Sequence, residues 1–344
     1  MSDLKHLLVI RLSAMGDVAM TVPILRAFVK QHPNVKITMV SKPFLKPLFT
    51  DIKNINFYAA DVTGKHKGVF GIYRLFKELK LFKIDAVADL HNVLRSKLLR
   101  SFFKLSFKKV AFINKGRSEK RALTQTKNKV FKQLKTTHER YADVFRKLGF
   151  KLDISKPEFP QKRQLSKEIF EITSNKSEKW IGIAPFAQYS SKMYPLDLME
   201  LVIEKLSQQK KLKILLFGGG KKETQILDTI ANKYNNTLNV AGKFKLQEEL
   251  TLISNLDCMV SMDSGNAHFA AMFGINTLTI WGITHPFTGF APFNQPIENA
   301  ILPDLNKYPN IPCSIYGNKV CDGYEDVMRT ISPKTVVDKI IKSV

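Results

Sequence analysis

Four stretches of this chain place polar groups where an apolar run gives way to an amphipathic one, and each has the residue types to act on a phosphorylated ligand. In Arg11-Leu12-Ser13-Ala14-Met15-Gly16-Asp17-Val18 a carboxylate stands at the start of a helical pattern. Asp17 there either complements the positive end of the helix dipole or projects outward as a general base for a hydroxyl proton. Asp263-Ser264-Gly265-Asn266-Ala267-His268 occupies the corresponding place in the second half. Backbone N–H groups at such a helix start, with Gly265 permitting close approach and the Ser264 hydroxyl beside it, form a diphosphate cradle. The plainer alternative is an ordinary helix capped by Asp263 or Ser264. His268, in the first turn, either fills the core or donates to a phosphate.

The third stretch, Ala184 to Pro195, holds Ser190, Ser191 and a single cation, Lys192. A lysine here neutralises a departing diphosphate as a point charge, and the serine hydroxyls can donate to the same oxygens. In the fourth, Gly218-Gly219-Gly220 is followed by Lys221, Lys222 and Glu223. The Gly-x-Gly-x-x-Gly of a dinucleotide loop is therefore missing, and a tight turn that lets Glu223 and its helix pack is the alternative. A nicotinamide-dependent oxidoreductase would rest on fold analogy alone. No Asp-x-Asp occurs in the chain, so a carboxylate pair for a metal-bound nucleotide sugar is missing and metal-independent chemistry is expected.

Positioning these groups requires alternating strands and helices, and the apolar pattern supplies them. Strands are expected at Leu7–Ile10, Lys36–Val40, Ala86–Asp89, Trp180–Ala184, Lys213–Phe217, Cys258–Met262 and Thr277–Trp281. Helices are expected near Val18–Lys30, Gly71–Lys80, after Pro195, through Ala231, and at His268–Phe273, with a last one at Ser332–Ser343 opened by a Ser-Pro pair. The pattern is that of an α/β protein with two doubly wound, Rossmann-like parallel domains, 1–160 and 161–344, facing each other across a cleft. The joint lies at about 151–179, where Pro157 and Pro160 precede a short polar helix. Open sheets of this kind bind ligands at the carboxyl ends of their strands.

Charge is divided unevenly between the halves. Residues 1–150 carry 31 Lys and Arg against 10 Asp and Glu, leaving 23 against 20 for the other 194 residues. Residues 94–135 alone hold 14 basic side chains, among them Arg95, Arg117 and Arg121, against Glu119, and Phe102, Phe103, Phe107 and Phe112 lie between them. Such a stretch is a solvated face, or it meets a polyanion: an anionic membrane surface or nucleic acid. No apolar run approaches the ~20 residues of a membrane span. The polar start, Met1–Lys5, lacks a signal-peptide pattern, so the chain is expected in the cytoplasm. Three cysteines, Cys258, Cys313 and Cys321, are too few for a disulfide framework, and free thiols are expected, with pairing of Cys313 and Cys321 or a shared metal, for which no third and fourth ligand are spaced nearby, as the alternative.

In their order and spacing these segments resemble glycosyltransferase family 9, the lipopolysaccharide heptosyltransferases and their relatives. The likeness is carried by Arg11 to Val18, by Lys192-Met-Tyr-Pro195, and by Met262 to His268 followed by Trp281-Gly-Ile-Thr284. The resemblance implies a GT-B fold, with the acceptor bound mainly by the first domain and the nucleotide sugar by the second, and inversion at the anomeric carbon without a metal or other cofactor. It implies Asp17 as the catalytic base. Gln188, Ser191, Lys192, Asp263, Ser264, Gly265, Asn266 and His268 would bind the donor, and Ser13, Met15, Gly16, Arg95, Arg117 and Arg121 the acceptor. The implied partners are a nucleotide diphosphate sugar, with ADP-heptose as the family donor, and a Kdo- and phosphate-bearing lipid at the cytoplasmic face of the inner membrane, reached peripherally. No nucleic acid is expected. The family often has Gly at Phe186, Trp at Tyr194, Pro at Ile283 and Asp at His285, positions that surround the donor pocket. A non-catalytic basic module is the competing class, and binding of one nucleotide sugar separates the two.

Overall fold

In the computed structural model, which describes residues 4–174 and 176–344, the first apolar run is a buried strand, β1 (His6–Ile10). Met1–Asp3 of the polar start and Asn175 of the expected joint lie outside the described residues. After β1 come α1 (Met15–Ala19), α2 (Thr21–Gln31), β2 (Lys36–Ser41), β3 (Ile55–Ala59), α3 (Gly68–Lys80), β4 (Ala86–Asp89), α4 (Leu94–Leu105) and β5 (Lys109–Phe112). The single helix expected over Val18–Lys30 is thus two, parted at Met20, with Pro23, which has no N–H to give, in the first turn of the second. All neighbouring strands are parallel in the order β3-β2-β1-β4-β5, with Leu7 level with Ile37 on one side and Ala86 on the other.

The chain continues through α5 (Arg117–Thr124), α6 (Thr137–Lys147) and α7 (Lys167–Thr173) to β6 (Lys179–Ala184), α8 (Leu196–Ser207), β7 (Leu212–Leu216), α9 (Gly220–Ala231) and β8 (Thr237–Asn239). It ends with α10 (Leu246–Ile253), β9 (Cys258–Met262), α11 (Gly265–Ala271), β10 (Asn276–Ile280), β11 (Ala300–Ile301) and α12 (Pro333–Lys342). This second sheet is also parallel, in the order β11-β10-β9-β6-β7-β8. Ser332 caps α12 by accepting the Thr335 N–H at 3.1 Å, with Pro333 at the first helical position, as the Ser-Pro pair indicates. The architecture is the expected α/β class of two doubly wound sheets. Among the described residues no helix is long and apolar enough to cross a membrane.

The chain divides into two compact units, one of Met1–Lys115 and Lys135–Phe159, the other of Gly116–Leu134 and Pro160–Val344. Residues 116–134, expected in the first domain, therefore pack with the second sheet. Leu123 and Leu134 are buried there, Lys120 Nζ lies 4.1 Å from the Phe290 ring centre, and the Leu134 N–H donates to Phe287 O at 3.0 Å. Apolar residues spaced between the basic ones made this docking possible, and periodicity carries no information on which sheet receives them. Cysteine pairing also differs from expectation. Cys313 and Cys321 form a disulfide, while Cys258 is a buried free thiol. Between them the chain folds back, with the Ser314 hydroxyl accepting the Gly317 N–H at 3.0 Å, and the two Cα atoms come to 5.6 Å.

Candidate active site

In the first sheet the strand order reverses beside β1: the chain leaves β1 for β2 on one side and returns to β4 on the other. Ligand crevices form at the carboxyl edge of such a reversal, and here that edge carries Arg11 and Leu90. The buried Arg11 guanidinium donates to Leu90 O at 2.9 Å and lies 2.5 Å from Asp17 Oδ2. Asp17 sits in the first turn of α1, and the same oxygen accepts the Ala14 N–H at 3.3 Å. Tyr141 donates its hydroxyl to the Asp17 main-chain oxygen at 3.3 Å. The carboxylate is thus fixed from both ends, yet its side chain keeps 27% of its surface open. It caps the helix and presents an open edge at the same time.

His91 stands at the same rim, its Nε2 3.4 Å from the Ser13 hydroxyl. Burial pushes its pKa down to about 3, and Arg11, Lys115 and Arg95 add to the effect against the opposing pull of Asp17. The imidazole is neutral at physiological pH, and the cations around it make this edge positive. Buried Asp89 stiffens the turn by accepting the His91 and Asn92 N–H groups at 2.9 and 2.8 Å while pairing with Arg100 at 2.8 Å. Of the residues assigned to the acceptor, Ser13, Met15, Gly16 and Arg95 belong to this unit, with Met15 and Arg95 exposed. Arg117 and Arg121 are exposed on α5, which belongs to the other unit.

The second sheet reverses between β6 and β9, and the loops leaving these two strands carry Lys192 and Asp263. Lys192 Nζ lies 2.8 Å from Asp263 Oδ2, with both side chains close to nine-tenths buried, and the Thr284 hydroxyl donates to the same oxygen at 3.0 Å. Residues 190–192 form a short 3-10 turn. Its Ser191 hydroxyl donates to Gly317 O at 2.5 Å, inside the loop closed by the disulfide. Gly282 admits the turn, because a Cβ there would overlap the main-chain oxygen of Ser191 and come within 2.9 Å of Met328 Sδ. Gly317 (φ +85°) likewise leaves room for the Lys192 stem.

Ser264 is the N-cap of α11, and its hydroxyl lies 3.1 Å from that of Ser261. Ser264, Gly265 and Asn266 are half-buried, His268 is buried in the same helix, and Gln188 is exposed on the loop after β6. Glu223 accepts the Gly219 N–H at 2.7 Å, so the three glycines make the tight turn at the start of α9. At the positions where the sequence departs from the family, Tyr194 is buried and donates to Ile331 O at 2.7 Å. His285 is buried too, its pKa pushed down to about 4 by burial and by Lys129. Among the described residues no group of three or more His, Cys, Asp or Glu is arranged to hold a metal ion.

Sequence reasoning gave no role to Arg11, His91, Thr284, Gly282 or Gly317. Only Arg11 left a signal, a cation directly at the end of a buried strand and six residues before the carboxylate it holds. Chemically, the first unit offers an oriented carboxylate among cations. The second offers a buried lysine beside a helix start, an arrangement suited to a diphosphate.

Comparison with known proteins identifies the family. The family model of glycosyltransferase family 9 (heptosyltransferase) matches residues 72–315. The lipopolysaccharide core heptosyltransferase OpsX of Haemophilus influenzae is 25% identical over 301 residues, covering 86% of this chain and 84% of that one. Among solved structures, the glycosyl transferase family 9 protein of Veillonella parvula superposes with a TM-score of 0.75 at 19% identity, covering 98% of this chain and 97% of its own. The E. coli heptosyltransferase WaaC, solved with ADP, gives 0.67 at 15% identity, covering 98% and 100%.

Proposed function

The chain belongs to glycosyltransferase family 9 and is a heptosyltransferase-like enzyme of lipopolysaccharide core synthesis, and we propose that it transfers heptose from ADP-heptose to an anionic core lipid with inversion and without a metal ion. The acceptor in this proposal is a Kdo- and phosphate-bearing lipid at the cytoplasmic face of the inner membrane, which the enzyme visits peripherally. The observation that carries the proposal is the buried Lys192–Asp263 pair at the reversal of the second sheet. A lysine desolvated at a helix start is what a departing diphosphate needs, and ADP is the ligand with which WaaC was solved.

In the proposed reaction Asp17 takes the proton from the acceptor hydroxyl as its oxygen attacks the anomeric carbon. The bond from that carbon to the diphosphate oxygen breaks on the opposite side, so the configuration inverts. Charge gathers on the departing ADP oxygen, where Lys192 and the amides of Ser264 to Asn266 stabilise it. Gln188 and Ser191 help hold the donor, Asp263 contacts its sugar, and His268 supports the α11 start. Arg11 acts as a positioning residue that keeps the Asp17 carboxylate turned outward. Ser13, Met15, Gly16 and Arg95 meet the acceptor, with Arg117 and Arg121 supplying further charge for its phosphates. A basic binding module would account for the charge in the first half but gives the Lys192–Asp263–Thr284 cluster no use.

The test is Asp17→Asn, assayed by ADP release from ADP-heptose with a Kdo-bearing lipid acceptor and by thermal shift with ADP. Turnover should fall at least ~100-fold, the scale of general-base catalysis, while ADP still raises the melting temperature. A variant that keeps more than about a tenth of the rate removes Asp17 as the base. Stabilisation of the parent by a different nucleotide diphosphate, and not by ADP, removes the donor assignment.

A further inference from the structure

We infer that the corner of the first unit where α3 and α4 end is a docking surface for an anionic phospholipid bilayer. The choice of a bilayer rests on lysines and exposed apolar tips standing together at this corner. The two helices lie side by side, joined through Tyr73, Phe76 and Phe102, whose rings meet at 5.4 to 6.1 Å. Beyond their ends a cleft of about 440 Å³ is lined by Lys80, Lys83 and Lys108 together with Phe76, Phe103 and Phe107. At this end of the helices Leu81 and Leu105 are 81% and 76% exposed, and Phe107 is 99% exposed.

Phe107 has no part in holding the fold. It follows the C-cap of α4 with φ +59°, its N–H donating to Lys104 O at 3.0 Å and the next N–H, from Lys108, to Phe103 O at 3.1 Å. This helix ending places its left-handed residue where glycine or asparagine is favoured, and a bulky side chain there is an outlier. A phenyl group that strains the backbone and buries nothing within its own unit has an apolar partner elsewhere.

Charge identifies that partner. Residues 65–109 contain 12 Lys and Arg against three acids, and each acid is engaged within the unit. Glu78 bonds Tyr58, Lys65 and His66, Asp85 accepts the Lys5 and His6 N–H groups, and buried Asp89 pairs with Arg100. The corner thus presents aliphatic and aromatic tips ringed by lysines. A bilayer satisfies both, with lysines at the level of the anionic headgroups and Phe107, Leu81 and Leu105 at the acyl boundary. A nucleic acid would match the lysines and leave the two exposed leucines without a partner.

The test is co-sedimentation of the full chain with vesicles of phosphatidylglycerol and phosphatidylcholine in equal parts, against phosphatidylcholine alone. The parent should bind the anionic vesicles preferentially. Phe107→Gly removes the anchor while supplying the residue that the backbone favours, so its melting temperature should stay level or rise while its vesicle partition falls about tenfold or more. Lys80→Gln, Lys83→Gln and Lys108→Gln together should lower partition about 100-fold. The inference is overturned if both variants bind like the parent, if the parent ignores headgroup charge, or if a DNA duplex displaces it from the vesicles. ADP stabilisation, measured in parallel, separates the two proposals. Vesicle binding lost with the ADP response intact sinks the surface alone, whereas preferential binding without an ADP response upholds the surface and sinks the donor assignment.

Discussion

Replacing Asp263 by Asn should tighten ADP binding while slowing transfer. The carboxylate lies 2.8 Å from Lys192 Nζ and accepts the Thr284 hydroxyl at 3.0 Å, in a pocket where lysine and aspartate are 12% and 9% exposed. A diphosphate seated on Lys192 brings negative charge to about 6 Å from Asp263, and at an effective dielectric near 20 each unit of charge is repelled by about 3 kcal/mol. Asparagine keeps an acceptor for Thr284 but holds the lysine less firmly, a loss of about 1 kcal/mol of prepositioning. The difference, about 1–2 kcal/mol, corresponds to a five- to thirtyfold fall in the Kd for ADP. Isothermal titration of parent and variant with ADP measures it, and the gain should persist as ionic strength rises, because buried charges are weakly screened. Turnover with the complete donor should drop, since the aspartate is also assigned to the sugar. Weaker ADP binding by the variant, or a gain abolished by salt, would show that Lys192 is not the cation that meets the diphosphate.

Two further outcomes follow from packing and burial in the second unit. Gly282→Ala should force the 190–192 turn away from position 282. Overpacking of about 1–3 kcal/mol should lower the melting temperature by several degrees and weaken ADP binding about tenfold, and an unchanged Kd would mean that the turn does not hold the donor. Burial pushes the Glu249 carboxyl up to about 7 from its ordinary 4.5. A raised folded-state pKa gives stability that is complete below the ordinary value and lost as pH rises through about 7. Urea unfolding at about pH 5 and pH 8 should show a loss of about 2–3 kcal/mol, which Glu249→Gln should abolish. Equal pH dependence in parent and variant would place the ionisation elsewhere.

What the sequence revealed, and what it concealed, follows from where each interaction is made. The central strands β1, β4, β6 and β9 were legible because both faces are covered, so each is a continuous apolar run. The edge strands β3 and β5 are partly exposed and β11 is two residues long, and none stands out from its surroundings. Asp17 and Lys192 drew attention by position, each a charge just beyond a strand. The long-range contacts that hold them did not, because tertiary packing chooses them: Arg11 reaches Leu90, 79 residues on, and Thr284 reaches Asp263 across 21. The same holds for Cys313 and Cys321, whose spacing allowed pairing but whose intervening turn decided it. In residues 94–135 charge concealed structure. Lys120 and Lys129 read as part of a basic face, yet Lys120 is buried over Phe290, and Lys129 donates to Asn310 O and Pro312 O at 2.7 and 3.1 Å.

The two units use one device in opposite ways. Each sets a carboxylate at the reversal of its sheet and places a cation on the Oδ2 atom. In the first unit the cation is arginine, and its fork is also tied to Leu90 O, so it cannot follow a ligand without breaking a second bond. Asp17 is therefore held permanently, as the role of base proposed for it requires. In the second unit the cation is lysine, a compact charge on a flexible stem rising from a 3-10 turn. In the proposed reaction it exchanges Asp263 for phosphate oxygens and returns when the nucleotide leaves. Removing the carboxylate charge at position 263 therefore frees a cation for the donor. The same change at position 17 leaves Arg11 anchored to Leu90 O, so ADP binding should register the first substitution and be indifferent to the second.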